Sequence, residues 1–322
     1  EIDRMTHPGF PWAEIAADGS SVIGKHDGTD GAVTIGTVTS QLLYEIGGPS
    51  YLGPDVTSRF DTISLDQVDR DRVRISGTRG EPPPSTLKVS MNRWGGFRTD
   101  IALAITGLDV EAKAELIDTM FWHDSPFQPA DYASVTRVVS RTDHVDPETN
   151  EQAVAAWRIT LKDPDERKVA AAGAQLNNLA LASIPGFFGL PSGGVAKPFG
   201  VHTSALVPAD LVPQYVVLLN GKHSVVDSVA PDTPATAIAP PAHAPPAPAG
   251  ATRRAPLGSV VGARSGDKGG NANVGVFARS AEAFAWIEAT LTTECLRQLL
   301  PEAADLEIER HPLPNLWSIN FV

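Results

Sequence analysis

The run Arg264-Ser265-Gly266-Asp267-Lys268-Gly269-Gly270-Asn271-Ala272-Asn273-Val274-Gly275 gathers the residue types most able to hold a ligand. Glycine and asparagine tolerate positive φ, so such a stretch can turn successive backbone N–H groups toward one point. N–H groups aimed inward make an anion-binding nest. Arg264 and Lys268 would add charge, and Ser265, Asn271 and Asn273 would add donors. A phosphate or a carboxylate is the matching guest, expected over Arg264–Asn273. The alternative is a plain tight turn with Asp267 and Lys268 solvated at its tip, and composition leaves both open. The stretch is not a Walker A loop, because Lys268 is followed by Gly269 rather than Ser or Thr.

A second chemistry-bearing cluster is Lys25, His26, Asp27 and Asp30. It lies just ahead of a helix start, where orphan N–H groups and the helix dipole favour an anion. His26 is of the side-chain type that titrates nearest neutral pH. Glu45, further along the same helix, is a candidate general base. The plain alternatives are a solvated loop and an exposed helical glutamate. There is no Gly-x-Ser-x-Gly motif and no His-x3-His pair. The single cysteine, Cys295, excludes an internal disulfide and a thiolate-rich zinc site and is expected to be a buried helix thiol.

These residues need elements to hold them. Residues 257–263 and 274–278 are short, Val-rich apolar runs and read as strands around the glycine stretch. Asp18-Gly19 is a hairpin signal between 13–16 and 21–23. Thr34 can cap a helix whose stripe is Ile35, Val38, Leu42 and Ile46, stopped by Gly47-Gly48. Residues 60–68 and 72–77 read as a hairpin, and 86–91 as a strand followed by a turn at 92–96. From 97 to 206 the order is strand 98–106, helix 109–121, strands 134–140 and 155–161, helix 165–182 and strand 201–207. That β-α-β-β-α-β order is the ferredoxin-like, split βαβ arrangement, with both helices on one sheet face. Phe187 and Phe188 either line an apolar pocket or join the core. Residues 214–219 form another strand. Residues 231–250 hold seven Pro and seven Ala, which reads as an extended tether. Beyond it, a helix over 281–300 and strands near 306–310 and 318–322 complete a second α+β unit. The fold class is therefore α+β, expected as a main domain over 1–227, a linker over 228–255 and a small domain over 256–322.

The chain has 322 residues, 42% hydrophobic and 20% charged, the composition of a globular protein with a substantial core. Its net charge of −12 argues against nucleic-acid binding, which needs a basic face. No apolar run approaches the ~18 residues of a membrane span. No signal peptide is visible, and cytoplasm is the expected location. The chain begins at Glu1, and it reads as an internal piece of a longer protein.

The run 263–276 resembles the signature of the small C-terminal domain in the acyclic terpene utilisation (AtuA) family. Lys25-His-Asp-Gly-Thr-Asp-Gly-Ala-Val-Thr34, the run 37–46, Tyr51-Leu-Gly-Pro-Asp-Val56, and Leu87-Lys-Val-Ser-Met91 with Gly95-Gly-Phe-Arg98 resemble its main domain. The resemblance covers nearly the whole chain; it lacks the long N-terminal portion of the family and stops before the usual C-terminus. It implies a role in breaking down acyclic terpenes or related branched acids, whose pathways run through CoA thioesters. The expectation that follows is an enzyme acting on a branched acyl-CoA, as hydratase or lyase. His26 or Glu45 would then serve as acid/base, and Lys88 or Arg98 would steady a carboxylate or thioester oxyanion. No cofactor or metal is expected beyond the CoA thioester as substrate. The alternative is a non-catalytic accessory subunit of an acyl-CoA carboxylase complex. The expected partners are thus an acyl-CoA or branched acid and acyl-CoA carboxylase subunits, with no nucleic acid or membrane, and a homo-oligomer left open.

Overall fold

A computed structural model describes residues 5–181, 184–226, 246, 249–251, 253–267 and 270–322. The expected linker, 228–255, lies mostly outside the described residues. In chain order the first elements are β1 (Pro11–Ile15), β2 (Ser21–Lys25), α1 (Ile35–Leu42), β3 (Ser50–Leu52), β4 (Thr57–Arg59), β5 (Ser64–Asp69), β6 (Arg72–Ser76) and β7 (Arg79–Glu81). They form antiparallel sheets of order β1-β2-β6-β5 and β3-β4-β7. The first hairpin turns as its sequence requires: Gly19 takes positive φ, and the Asp18 carboxylate accepts from the Ser20 N–H and hydroxyl.

α1 is capped by the Thr34 hydroxyl, which accepts from Thr37 N at 3.2 Å. It ends at Leu42, sooner than the hydrophobic stripe implies, and Glu45 lies beyond it with φ +57°. The stripe Ile35, Val38, Leu42 and Ile46 alone carries the helix to Ile46. The physical reason for the early stop is a side chain from the C-terminal sheet, described below. Leu43 and Ile46 are still buried, in a cluster with Ile63, Leu313 and Leu316.

The next elements are β8 (Thr86–Ile105), α2 (Val110–His123), β9 (Ser134–Ser140), β10 (Ala155–Asp163), α3 (Glu166–Ala180), β11 (Phe187–Gly189) and β12 (Lys197–Pro208). Residues 90–203 form one compact unit, and the rest of the chain forms the other. In the former the sheet order is β11-β8-β10-β9, with β12 also on β8. Alternation decides its core. Ile101, Leu103 and Ile105 pair with Ile159, Trp157 and Ala155, and all six are buried. Val110, Ala114, Ile117 and Phe121 of α2 and Ala172 and Leu179 of α3 join that same cluster, so both helices cover one face. Two boundaries differ from the sequence reading. β8 is one strand of 20 residues, not two strands and a turn. Gly95 and Gly96 do not break it; they admit Phe199 and the backbone of Asp163, which a Cβ would meet at 2.5 and 2.7 Å. Opposite Leu103–Ile105 the neighbour is β11, and the strand expected over 201–207, present as β12, also joins this sheet on β8. Phe187 packs against the core, and Phe188 is exposed.

β13 (Gln214–Val217) and β14 (His223–Val226) make a separate two-stranded ribbon. The chain closes with β15 (Val261–Asp267), β16 (Ala272–Ala278), α4 (Ala281–Thr290), α5 (Thr293–Leu299), β17 (Arg310–Leu313) and β18 (Ser318–Phe321), the sheet order being β15-β16-β18-β17. The helix expected over 281–300 is two helices. Thr292 caps the second by accepting from Cys295 N, while Arg310 donates to the carbonyls of Glu288 and Leu291 and ends the first. Cys295 is half-buried against this domain's core. This sheet belongs to the same compact unit as residues before 90.

Candidate functional site

Beside α1 an open cleft of about 1060 Å3 is floored by Ile23, Val33, Val38, Leu42 and Ile75. Lys25, Asp30, Arg70 and Asp71 line it as well. A smaller depression of about 390 Å3 is lined by Lys25, Arg70 and Asp71 again, together with Trp12, His26, Asp27 and Arg72. An apolar floor beside charged groups is the usual make-up of a small-molecule site.

Within this region the anticipated helix N-terminal anion site is not available. The N–H of Val33 goes to Asp71, that of Ile35 to Gln67 and that of Thr37 to Thr34, so these donors are already spent. Asp30 is also committed. It accepts from His7 N, Thr6 N and the Thr6 hydroxyl, and the His7 N–H is the leading cause that holds its carboxyl below the ordinary range. Lys25 Nζ donates to the Thr29 carbonyl at 2.6 Å. The His26 ring has no hydrogen-bond partner among the described residues and is exposed at the polar depression.

The glycine stretch is also different from a nest. β15 and β16 pair in continuous register, Arg264 with Gly275, Ser265 with Val274, Gly266 with Asn273 and Asp267 with Ala272. Backbone groups in a ladder pair with the neighbouring strand and do not converge on a ligand. Only the tip remains for a turn. Gly270 and Asn271 there are exposed, and Lys268 and Gly269 lie outside the described residues.

What the hairpin does instead is grip the end of α1. Asn273 is buried; its Nδ2 donates to the Leu43 carbonyl and to Asn320 Oδ1, both at 2.7 Å. Its Oδ1 accepts from Glu45 N at 3.1 Å. Asn320 in turn donates to the Gly47 carbonyl at 2.6 Å. These bonds satisfy groups that a helix end leaves orphaned, and so stop α1 where it stops. Asn273, expected as a ligand donor, therefore has its amide fully engaged. Gly266 is small for a related reason: a Cβ there would meet Glu45 Cγ at 2.4 Å.

On the surface of this junction lie Tyr44, Glu45, Arg264 and Asp267. Arg264 sits over the Tyr44 ring, 4.2 Å from its centroid, a cation–π contact. A hydrogen bond to the Glu45 side chain is the main cause raising the Tyr44 phenol above its usual value. The structure thus brings Glu45 to Gly266 and Asn273, and Tyr44 to Glu45 and Arg264. Tyr44 and Asn320 were missed by sequence reasoning. The signal for Asn320 was a polar residue in an otherwise apolar final strand.

The other two candidates stand apart from this junction. Arg98 makes two bonds of 2.8 Å to Asp100, whose carboxyl is lowered first by Arg98 and also by Thr160. Lys88 is exposed. Arg98 and Lys88 fall in different compact units. Asp100 and Thr160 also line a trough of about 620 Å3 with Arg158 and the segment Leu190–Gly193. No described group of three or more His, Cys, Asp or Glu is placed to hold a metal ion. No described helix is long and apolar enough to cross a membrane.

The fold and these sites define an α+β protein of antiparallel sheets with an apolar cleft and a C-terminal domain that clamps the neighbouring helix. Family models match it at two places, the acyclic terpene utilisation family protein AtuA over residues 1–218 and the AtuA ferredoxin-like domain over 255–322. The chain belongs to the AtuA family, which places it in acyclic terpene utilisation. No curated protein and no solved structure matches it.

Proposed function

We propose that the chain acts on a branched acyl-CoA thioester or the corresponding acid, as a hydratase or lyase in acyclic terpene breakdown. The observation that carries this reading is the cleft beside α1, where an apolar floor adjoins Lys25 and Arg70. A branched hydrocarbon tail suits the floor, and a thioester oxygen, carboxylate or phosphate suits the cations. Such a substrate belongs to the CoA pool of the cytoplasm.

Hydration of an unsaturated thioester adds the oxygen of water to the β-carbon and a proton to the α-carbon; the lyase direction reverses both. The step needs a base for the water proton, an acid for the α-carbon and stabilisation of the developing oxyanion. His26, in the depression that shares Lys25 and Arg70 with the cleft, is assigned the acid/base role. Lys25, which lines both the cleft and the depression and spends one ammonium proton on the Thr29 carbonyl, is assigned the oxyanion through its other protons. Glu45 with Tyr44 is the second acid/base candidate. Arg264 and the exposed tip at Gly270 and Asn271 are assigned to an anionic end of the ligand.

The test is a thermal-shift titration with free CoA, a terpenoid branched acid and its unsaturated CoA thioester, followed by ultraviolet assay of thioester hydration. The thioester should raise the melting temperature more than free CoA does, and His26→Ala should abolish turnover while keeping that shift. Equal shifts with CoA and thioester, or none, would overturn the assignment. Binding without turnover, together with co-purification of acyl-CoA carboxylase subunits, would favour the accessory-subunit reading.

A further inference from the structure

The sheet of the unit spanning residues 90–203 is covered by α2 and α3 on the face that carries Ile101, Leu103 and Ile105. Side chains alternate along a strand, so Asp100, Ala102 and Ala104 of β8 stand on the opposite face. The register sets Thr160, Arg158 and Ala156 of β10 beside them in turn. The trough of about 620 Å3 lies here, and Ala102, Leu190 and Pro191 give it an apolar lining.

Its two charged residues differ in what holds them. Asp100 takes two bonds of 2.8 Å from Arg98 and a third, at 2.6 Å, from the Thr160 hydroxyl. Arg158 is exposed in mid-strand, with Ala102 and Val138 as its cross-strand neighbours. Its guanidinium has no partner among the described residues. The wall of the trough is a bowed segment. Leu190 N donates to the Ala102 carbonyl and Gly194 N to the Asp100 carbonyl, so five residues run beside three of β8. Pro191, Ser192 and Gly193 must therefore bulge from the sheet edge. Pro191 has no N–H, and those of Ser192 and Gly193 have no acceptor among the described residues. Phe188, opposite Ala104 on this same face and 47% exposed, continues the apolar wall.

We propose that this trough binds a small aliphatic carboxylate, with its head on Arg158 and its chain along Ala102, Leu190 and Phe188. A guanidinium fork matches a carboxylate with two parallel bonds. The unbonded N–H groups of Ser192 and Gly193, in the lining of the same trough, are further donors for an anion. One unpaired cation balances one negative charge, whereas a phosphate group at about −1.5 to −2 would leave an excess beside Asp100. An apolar lining with a few polar groups, at this volume, is the make-up of a small-molecule site. The cleft beside α1 belongs to the other compact unit, and this inference does not rest on the function proposed for it.

The experiment is isothermal titration calorimetry of the whole chain with octanoate, its neutral analogue octanamide and inorganic phosphate. Octanoate should bind, and the other two should bind at least about tenfold more weakly. Arg158→Gln, an exposed polar exchange with little effect on folding, should weaken octanoate by about tenfold or more. Ala102→Leu, which fills the trough, should do the same without touching a charge. Lys162→Gln, a cation on the same sheet face outside the trough lining, should leave the affinity unchanged. No octanoate binding, equal binding of octanamide, or an affinity indifferent to Arg158→Gln and Ala102→Leu would overturn the proposal. Loss of binding in Lys25→Gln alone would also overturn it, by placing the acid in the cleft beside α1 and leaving the reading of that cleft intact.

Discussion

Asn273→Ala is the sharpest test of how this protein holds together. The substitution deletes three hydrogen bonds, to the Leu43 carbonyl, to Asn320 Oδ1 and from Glu45 N. Glu45 is half-buried, so water can replace its partner at little cost. Leu43 and Asn320 are fully buried, so their acceptors would be stranded. A stranded buried polar group costs about 1–3 kcal/mol, so two give a loss of about 2–6 kcal/mol. At roughly 2–4 °C per kcal/mol for a unit of this size, the melting temperature should fall by about 4–24 °C. Urea denaturation followed by circular dichroism would measure the loss, with exposed Asn271→Ala as a control expected within about 0.5 kcal/mol. If Asn273→Ala matches that control, the clamp between α1 and the C-terminal sheet does not exist in solution.

Gly266→Ala should destabilise by about 1–3 kcal/mol, because its methyl would fall on Glu45, whereas Gly270→Ala meets nothing within 4 Å and should be near neutral in the same assay. Burial pushes the Tyr132 phenol up to about 12. The folded state then prefers the neutral phenol, so its contribution is complete below the ordinary tyrosine value of about 10 and is lost as pH rises toward 12. Tyr132→Phe should flatten that alkaline loss in a pH series of melting temperatures; an unchanged slope would reject the linkage.

Much of the unit spanning residues 90–203 was legible from local pattern. Ile101, Leu103 and Ile105 alternate at period two, as do Trp157, Ile159 and Leu161, and Val110, Ala114, Ile117 and Phe121 recur at helical spacing. Such periodicities depend only on which face meets the core, so the chain itself carries them. The cap at Thr34 and the turn at Asp18-Gly19 are equally local. Strand length was less legible, because Gly95-Gly96 reads as a turn unless Phe199 is known to press against it.

The candidate site divides along the same line. Sequence alone marked His26, Glu45 and the glycine-rich stretch as chemically unusual, and it carried the family resemblance. It did not reveal that Glu45 and Gly266, more than two hundred residues apart, occupy one junction. Nor did it reveal that Asn273 ends α1 rather than binding a ligand. A helix terminus and a buried amide are settled by partners supplied from far along the chain. Local propensity differs by tenths of a kcal/mol per residue, and a tertiary hydrogen bond in a dry site outweighs it. The chain determined which residues could be buried, capped or turned; the packing of the C-terminal sheet against α1 decided which of them remain free to meet a substrate.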